Sequence, residues 1–218
     1  MSNPNAYLRF KKIHADTVAL LPAATEALKP EDTNAHLCRY ALVLGVASMD
    51  SYFTRKFTNR LTTFLKMRGI TPNLSNHMDQ AKIDTEFFLQ LLLDDTQRPF
   101  RKIHTKISGQ LDHYTSQSVW KIDRLYSAFV LENLCDRAMK KAQKDGHLPG
   151  FRQPLKRLNG VVKRRHLIVH ASDFNAHGKY YKIEAGRTHD DLKLIYGFVT
   201  GAEAVIDEHF AKLTKKSK

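Results

Sequence analysis

Seven residues, Arg164-Arg165-His166-Leu167-Ile168-Val169-His170, set two arginines and two histidines around an apolar triplet. Arginine supplies a permanent cation whose forked donors match a phosphate, and histidine exchanges a proton near neutral pH. Arg165 and His170 stand in an R-x4-H spacing. On a helix that puts them about 7.5 Å apart along the axis and about 140° apart around it, an offset that a long arginine side chain can span. The pair fits metal-independent cleavage of RNA, in which the 2′-hydroxyl attacks the neighbouring phosphate, histidine moves a proton and arginine stabilises the added negative charge. The same residues also fit an arginine and a histidine merely solvated at a wet helix end, and the spacing alone leaves both readings open.

A second chemistry shares the segment. His166, His170 and Asp173 follow i, i+4, i+7 spacing, which lines two imidazoles and a carboxylate along one helical face, a divalent-metal arrangement. Against a metal-dependent hydrolase, no neighbour has the place of the general base in H-E-x-x-H helices, and Arg164 and Arg165 add positive charge beside the cation. The other nine histidines lack ligand spacing and read as mostly surface residues. No metal and no cofactor are expected. Lys156, Arg157, Lys163 and Arg164 precede the pair, and His177, Lys179, Lys182 and Arg187 follow it, with Tyr180 and Tyr181 interleaved. Cations on phosphates with bases stacked on aromatics is the usual way of holding single-stranded RNA; a solvated charged face is the alternative. Neither G-x-G-x-x-G nor a P-loop is present, so nucleotide hydrolysis lacks its usual phosphate cradle.

The elements that must position these residues read as helices. Apolar residues at 155, 158, 161 and 162 give the segment before the pair a helical period, and the helix carrying the pair is expected from about Pro154 to Ser172. Residues 6–28 are loosely helical, bent near Pro22. A long helix spans about 33–67, capped by Asp32 or Thr33 and ended by Gly69 with Pro72; Ala41, Gly45, Ala47 and Ser48 suit close approach of another helix. A polar loop is expected over 70–82, a short helix over 83–93 opened by Asp84 or Thr85, a break at Arg98-Pro99-Phe100 and a short helix over 104–114. One longer helix should start at Gln117 or Ser118 and run to about Met139, with cations at 140–144 suited to its dipole. Loops follow at 145–150 and 174–187, the latter including a Tyr180–Ile183 stretch that could be a strand. Thr188 and Asp191 form a capping box for a last helix to about 212. The expectation is one all-α domain over 1–218, a bundle of five to seven helices with its core at about 33–212 and a basic C-terminal tail, in which the motif helix packs between the 33–67 and 188–212 helices.

Composition agrees with a folded, basic protein. The 218 residues are 42% hydrophobic and 10% aromatic, and the formal net charge is +13. A chain of this length buries a substantial core, and its charge favours polyanionic partners, nucleic acid or an anionic membrane surface. Cys38 and Cys135 each sit in an apolar helical pattern and read as small core residues. No 18-residue apolar run and no signal-like start occur, so a cytoplasmic protein without a membrane span is expected.

The arginine, polar residue, three further residues and histidine of Arg165 to His170 resemble the signature of the HEPN superfamily. The helix from Leu37 to Phe53, an apolar run leading into Asp50 and an aromatic, is similar to the early core helix of the RiboL-PSP-type branch, and Ile168 to Asp173 followed by a basic loop and a last helix continues the likeness over about 33–210. The middle third, 70–150, matches only as helices. The resemblance implies a HEPN-like helical bundle that commonly dimerises, with RNase activity often in toxin–antitoxin or phage-defence settings. It carries Arg165 and His170 over as the catalytic pair, His166 as the polar residue beside the arginine and Asp50, loosely, as the acidic position. The sequence is thus expected to be an endoribonuclease acting on RNA, with Arg164 supporting the pair and Lys163, Lys179, Lys182, Arg187, Tyr180 and Tyr181 holding RNA, and possible partners in an antitoxin or defence protein. A non-catalytic RNA-binding or complex-forming module is the alternative. A homodimer is expected on mechanism as well: RNA cyclisation needs one proton removed and one delivered, and a two-fold dimer brings two histidines and two arginines into one cleft through one self-complementary patch.

Overall fold

The structure, a computed structural model, describes residues 5–21, 31–80, 83–93, 99–111, 118–148, 150, 152–175 and 177–216. Within them the chain is all-helical: α1 (Ala6–Val18), α2 (Glu31–Arg68), α3 (Pro72–Gln80), α4 (Thr85–Leu93), α5 (Pro99–Leu111), α6 (Val119–Ser127), α7 (Leu134–Lys144), α8 (Pro154–Ala171) and α9 (Ala185–Lys216). The nine helices among the described residues exceed the expected five to seven for two identifiable reasons. First, the loop expected over 70–82 contains α3. Thr71 caps it, its Oγ1 accepting from Leu74 N at 3.2 Å, Pro72 occupies the first helical position where its missing N–H is harmless, and Leu74, His77 and Met78 are buried at i, i+3 and i+4. His77 is therefore a core residue rather than a surface one, and burial lowers its pKa. Second, the helix expected from Ser118 to Met139 divides into α6 and α7. Val130 N donates to Ser127 O at 2.9 Å and Leu131 N to Tyr126 O at 3.3 Å, the bond pair that closes a helix when the following residue turns left-handed. Val130 holds φ 57° and Asn133 φ 52°, and the chain restarts with Cys135 N donating to Asp123 of α6 at 2.9 Å.

Other starts are nearer expectation. Ser118 caps α6, accepting from Lys121 N, and Asp84 caps α4, accepting from Phe87 N at 2.9 Å. Pro99 opens α5 rather than breaking the chain. The last helix begins at Ala185, so Thr188 lies inside its first turn, buried, with its hydroxyl on Glu184 O. The bend at Pro22, the caps at Asp32 or Thr33 and the start at Gln117 fall outside the residues or side chains described.

The two long helices, α2 and α9, form the axis of the bundle. Gly45 brings them together: a Cβ there would run into Leu192 of α9. Gly201 does the same against the backbone of Ala138, seating α7 on the opposite flank of α9. Phe53, Phe57, Tyr126, Phe129 and Phe198 interlock at the centre, and Cys38 and Cys135 are buried free thiols. The motif helix α8 contacts both α2 and α9, anchored by buried Leu158 and Val161 in its first half.

A β-branched residue has no inexpensive route to Val130's left-handed backbone. Val130 is 62% exposed, so Val130→Gly sacrifices little packing and is expected to stabilise the fold by about 0.5–1 kcal/mol after the added unfolded-state entropy. Urea unfolding measures this, and a lower midpoint would refute the strain argument.

Candidate functional site

Only the first half of α8 is clamped into the core. From Lys163 onward most side chains leave it: His166, Leu167, Val169 and His170 are exposed, and Arg165 is half-buried with its Nε withdrawn from solvent. All of these but Val169 line an open cavity of about 590 Å³ that brings Arg165, His166 and His170 together with Lys163. Arg165 and His170, about 140° apart around the helix, thus line the same concavity. His166 and His170, one turn apart, have ring centroids 4.4 Å from each other at an interplanar angle of 42°. Across the cavity stand Ser118 and Lys121 at the start of α6. In the sequence Ser118 is legible only as a helix start and Lys121 carries no signal, because α6 lies about 40 residues upstream and no local pattern links it to the motif.

Asp173 is elsewhere. The helix ends at Ala171, and Ser172 and Asp173 take left-handed backbone, φ 50° and 61°, which turns the Asp173 side chain inward. It is fully buried. Its Oδ2 accepts from Arg39 Nε of α2 at 2.8 Å and from Arg164 Nη2 at 2.8 Å. Its Oδ1 is buried with no hydrogen-bond partner among the described residues. The expected alignment of His166, His170 and Asp173 on one face therefore fails, because the carboxylate lies past the helix end and serves two arginines. Among the described residues no group of three His, Cys, Asp or Glu side chains could hold a metal ion.

The same hub fixes the following loop. Arg39 Nη2 donates to Tyr181 O at 2.9 Å, Tyr181 N donates to Asp173 O at 2.9 Å, and an antiparallel bridge joins Phe174 to Tyr180, with no longer strand among the described residues. Tyr180 stacks on Phe174 with centroids 4.4 Å apart and meets the Arg39 guanidinium at 4.5 Å, while Arg164 sits 5.2 Å over Tyr181. Both rings expected to stack RNA bases are thus already engaged within the chain, though each is still more than 40% exposed. Lys179 is exposed on the same loop.

The other expected RNA contacts divide. Lys163 belongs to the Arg165/His170 cavity, whereas Arg164, Lys182 and Arg187 line a separate one of about 300 Å³ with Arg157 and Asp191. Asp191 bonds Arg157 at 2.9 Å, and burial raises its pKa against the pull of that cation. Asp50 lines neither cavity. Compared with family models, with curated proteins and with solved structures, the chain matches none of them.

Removing one partner from a buried ion cluster leaves charge unpaired, at about 3–5 kcal/mol. Asp173→Ala strands Arg39, itself 5% exposed, and is expected to destabilise by that order in urea unfolding. Asp173→Asn keeps an acceptor and loses less. Equal, small losses in both variants would show that the cluster is not a structural hub.

Proposed function

We propose that this protein is a metal-independent endoribonuclease of the HEPN type, with Arg165 and His170 as the catalytic pair and His166 beside them. The observation that carries the reading is the single open cavity shared by Arg165, His166 and His170, rimmed by Lys121 and Lys163. In the proposed reaction one imidazole takes the proton of the 2′-hydroxyl, whose oxygen bonds to the adjacent phosphorus. The bond from phosphorus to the 5′-oxygen breaks, and an imidazolium returns a proton to that oxygen, leaving a 2′,3′-cyclic phosphate and a 5′-hydroxyl end. Arg165 meets the charge gained by the phosphoryl oxygens, and the two lysines hold flanking phosphates.

A second reading rests on a specific observation: no hydrogen bond among the described residues orients the imidazole of His166 or His170, whereas catalytic imidazoles are commonly fixed by a partner. A non-catalytic RNA-binding or complex-forming module needs no such partner. The toxin–antitoxin or phage-defence setting, with a protein that masks the cavity, rests on the HEPN resemblance alone. No described helix is long and apolar enough to cross a membrane.

We further propose that two copies pair across the exposed end of α8. Leu167, which lines the cavity, is 40% exposed there, an apolar side chain that a two-fold contact would cover. With His166 and His170 4.4 Å apart, each chain already holds two proton-transfer groups, so a partner copy would add phosphate contacts more than a missing acid or base.

Labelled RNA incubated with protein and EDTA is expected to be cut, and His170→Ala to lose at least 100-fold in rate while still binding RNA. Binding without cutting by the wild type selects the module, and loss of cutting in EDTA defeats the metal-free mechanism. Sedimentation at micromolar concentration is expected to show twice the monomer mass. Mixed Arg165→Ala and His170→Ala proteins regain activity only if one RNA uses residues of both chains; a mixture as inactive as either variant means each cavity works alone.

A further inference from the structure

The chain has one tryptophan, and the fold leaves it outside. Ile122, Leu125 and Tyr126 turn α6 into the core and are fully buried, whereas Trp120 is 63% exposed. It is more open than Tyr180 at 45% or Tyr181 at 41%, the two rings that the loop after α8 already occupies. An indole carries the largest apolar surface of any side chain, and one left in water marks a contact with something outside the chain.

Its place on α6 says what that contact adjoins. Ser118 and Lys121 line the cavity of Arg165, His166 and His170. At about 100° per residue, Arg124 follows Lys121 about 60° further round the helix, away from the cavity, and Trp120 about 100° further. The exposed flank of the cavity rim is therefore Lys121, Arg124 and Trp120 in that order. The Arg124 guanidinium lies 5.3 Å from the indole centroid and makes no ion pair among the described residues. Asp123, the neighbouring carboxylate, accepts from Cys135 N at 2.9 Å. Exposed tryptophans also serve protein contacts, but here two cations stand beside the ring and the adjacent acid is engaged, so the surface is complementary to a polyanion that also carries flat rings. Nucleic acid has both, and aromatic rings beside cations hold its unpaired bases.

Resting on the ribonuclease reading, we propose that Trp120, braced by Arg124, seats one unpaired base next to the cleaved bond and makes a purine preferred there. Lys121 and Trp120 are adjacent in the chain, so a phosphate held at Lys121 places its own base within reach of the indole. The guanidinium over one ring face leaves the other for a single base, and a two-ring purine covers an indole more fully than a pyrimidine does. Trp120 touches no reacting atom. It is a positioning residue that selects where the strand enters the cavity.

Octanucleotides with 2′-O-methyl sugars test this on the full chain, since they lack the attacking hydroxyl and stay intact. The adenine octamer is expected to quench the fluorescence of the single indole and to bind about threefold or more tightly than the uracil octamer. Measured by anisotropy of a labelled strand, Trp120→Ala is expected to weaken the adenine octamer about fivefold or more and to erase the difference between the two, with Trp120→Phe retaining part of it. Loss of a merely structural residue would weaken both octamers alike. In cleavage of a mixed-sequence RNA, Trp120→Ala is expected to lose the purine preference beside the cut bonds. Unchanged circular dichroism and urea midpoint verify that Trp120→Ala folds; should it not, Arg124→Ala, which leaves the indole in place, is expected to reduce the preference for adenine. The seat alone is overturned if RNA binds and is cut with the indole silent, if the folded variants keep the wild-type preference, or if the fluorescence follows protein concentration instead of RNA, which makes Trp120 a contact between copies. Absence of any RNA binding by anisotropy overturns the ribonuclease reading and the seat with it.

Discussion

A buried carboxylate between two guanidinium groups holds the candidate site in place. Asp173 sits at the junction of α2, α8 and the loop into α9, and its Oδ2 accepts from Arg39 and Arg164, both at 2.8 Å. Desolvating these charges is costly, and only close geometry with further hydrogen bonds offsets the cost; Arg39 and Arg164 add bonds to Tyr181 O that supply it. The consequence for the neighbouring arginine is direct. Arg164 is drawn inward to Asp173, and Arg165, one position on and about 100° around the helix, is left to the cavity with the histidines. Two adjacent cations of identical chemistry thus take separate places, one in the Asp173 hub and one on the cavity beside the histidines.

The frame beneath this hub is stiffened by a second polar cluster. Lys56 of α2 bonds Glu203 at 2.8 Å and Asp207 at 2.7 Å on α9, Arg60 also reaches Asp207, and Tyr52 donates to Glu203 at 2.6 Å. These groups face one another across the interface where Gly45 admits Leu192. A slip of one residue between α2 and α9 would leave Lys56, 6% exposed, buried without its carboxylates, so the cluster fixes register as well as contributing energy. Because α8 rests on both helices, that register sets where Arg165 and His170 emerge.

The strong positive charge is likewise divided rather than spread. Arg39, Lys56 and Arg157 answer carboxylates inside the fold, while Lys121 and Lys163 stand beside the histidines and Arg187 beside the smaller cavity. The cations that line the two cavities stand on opposite sides of α8. One helix therefore presents two electropositive concavities with different floors, one opening on imidazoles and the other on aliphatic side chains.

Local sequence determined the helical class, the bounds of α8 to within a residue and the clustering of Arg165, His166 and His170, because a helical period and an i, i+4 or i, i+5 spacing are properties of neighbouring residues. Gly69, Asp84 and Ser118 announced their turns and caps by residue type. Thr71-Pro72 announced α3 too, but its polar composition reads as a loop until Leu74, His77 and Met78 meet the core. The turn at Val130 had no signal, since a valine enters left-handed backbone only when packing of Phe129 and Leu131 on both sides compels it. Asp173 follows the spacing of a metal ligand on an extended helix, and only the tertiary pull of Arg39, 134 residues away, ends the helix early and turns the carboxylate inward. Lys121 beside the histidines, and Arg187 beside Arg157 and Arg164, are likewise products of packing between distant helices: a sequence encodes which charges exist, and the fold alone decides which of them are neutralised within it.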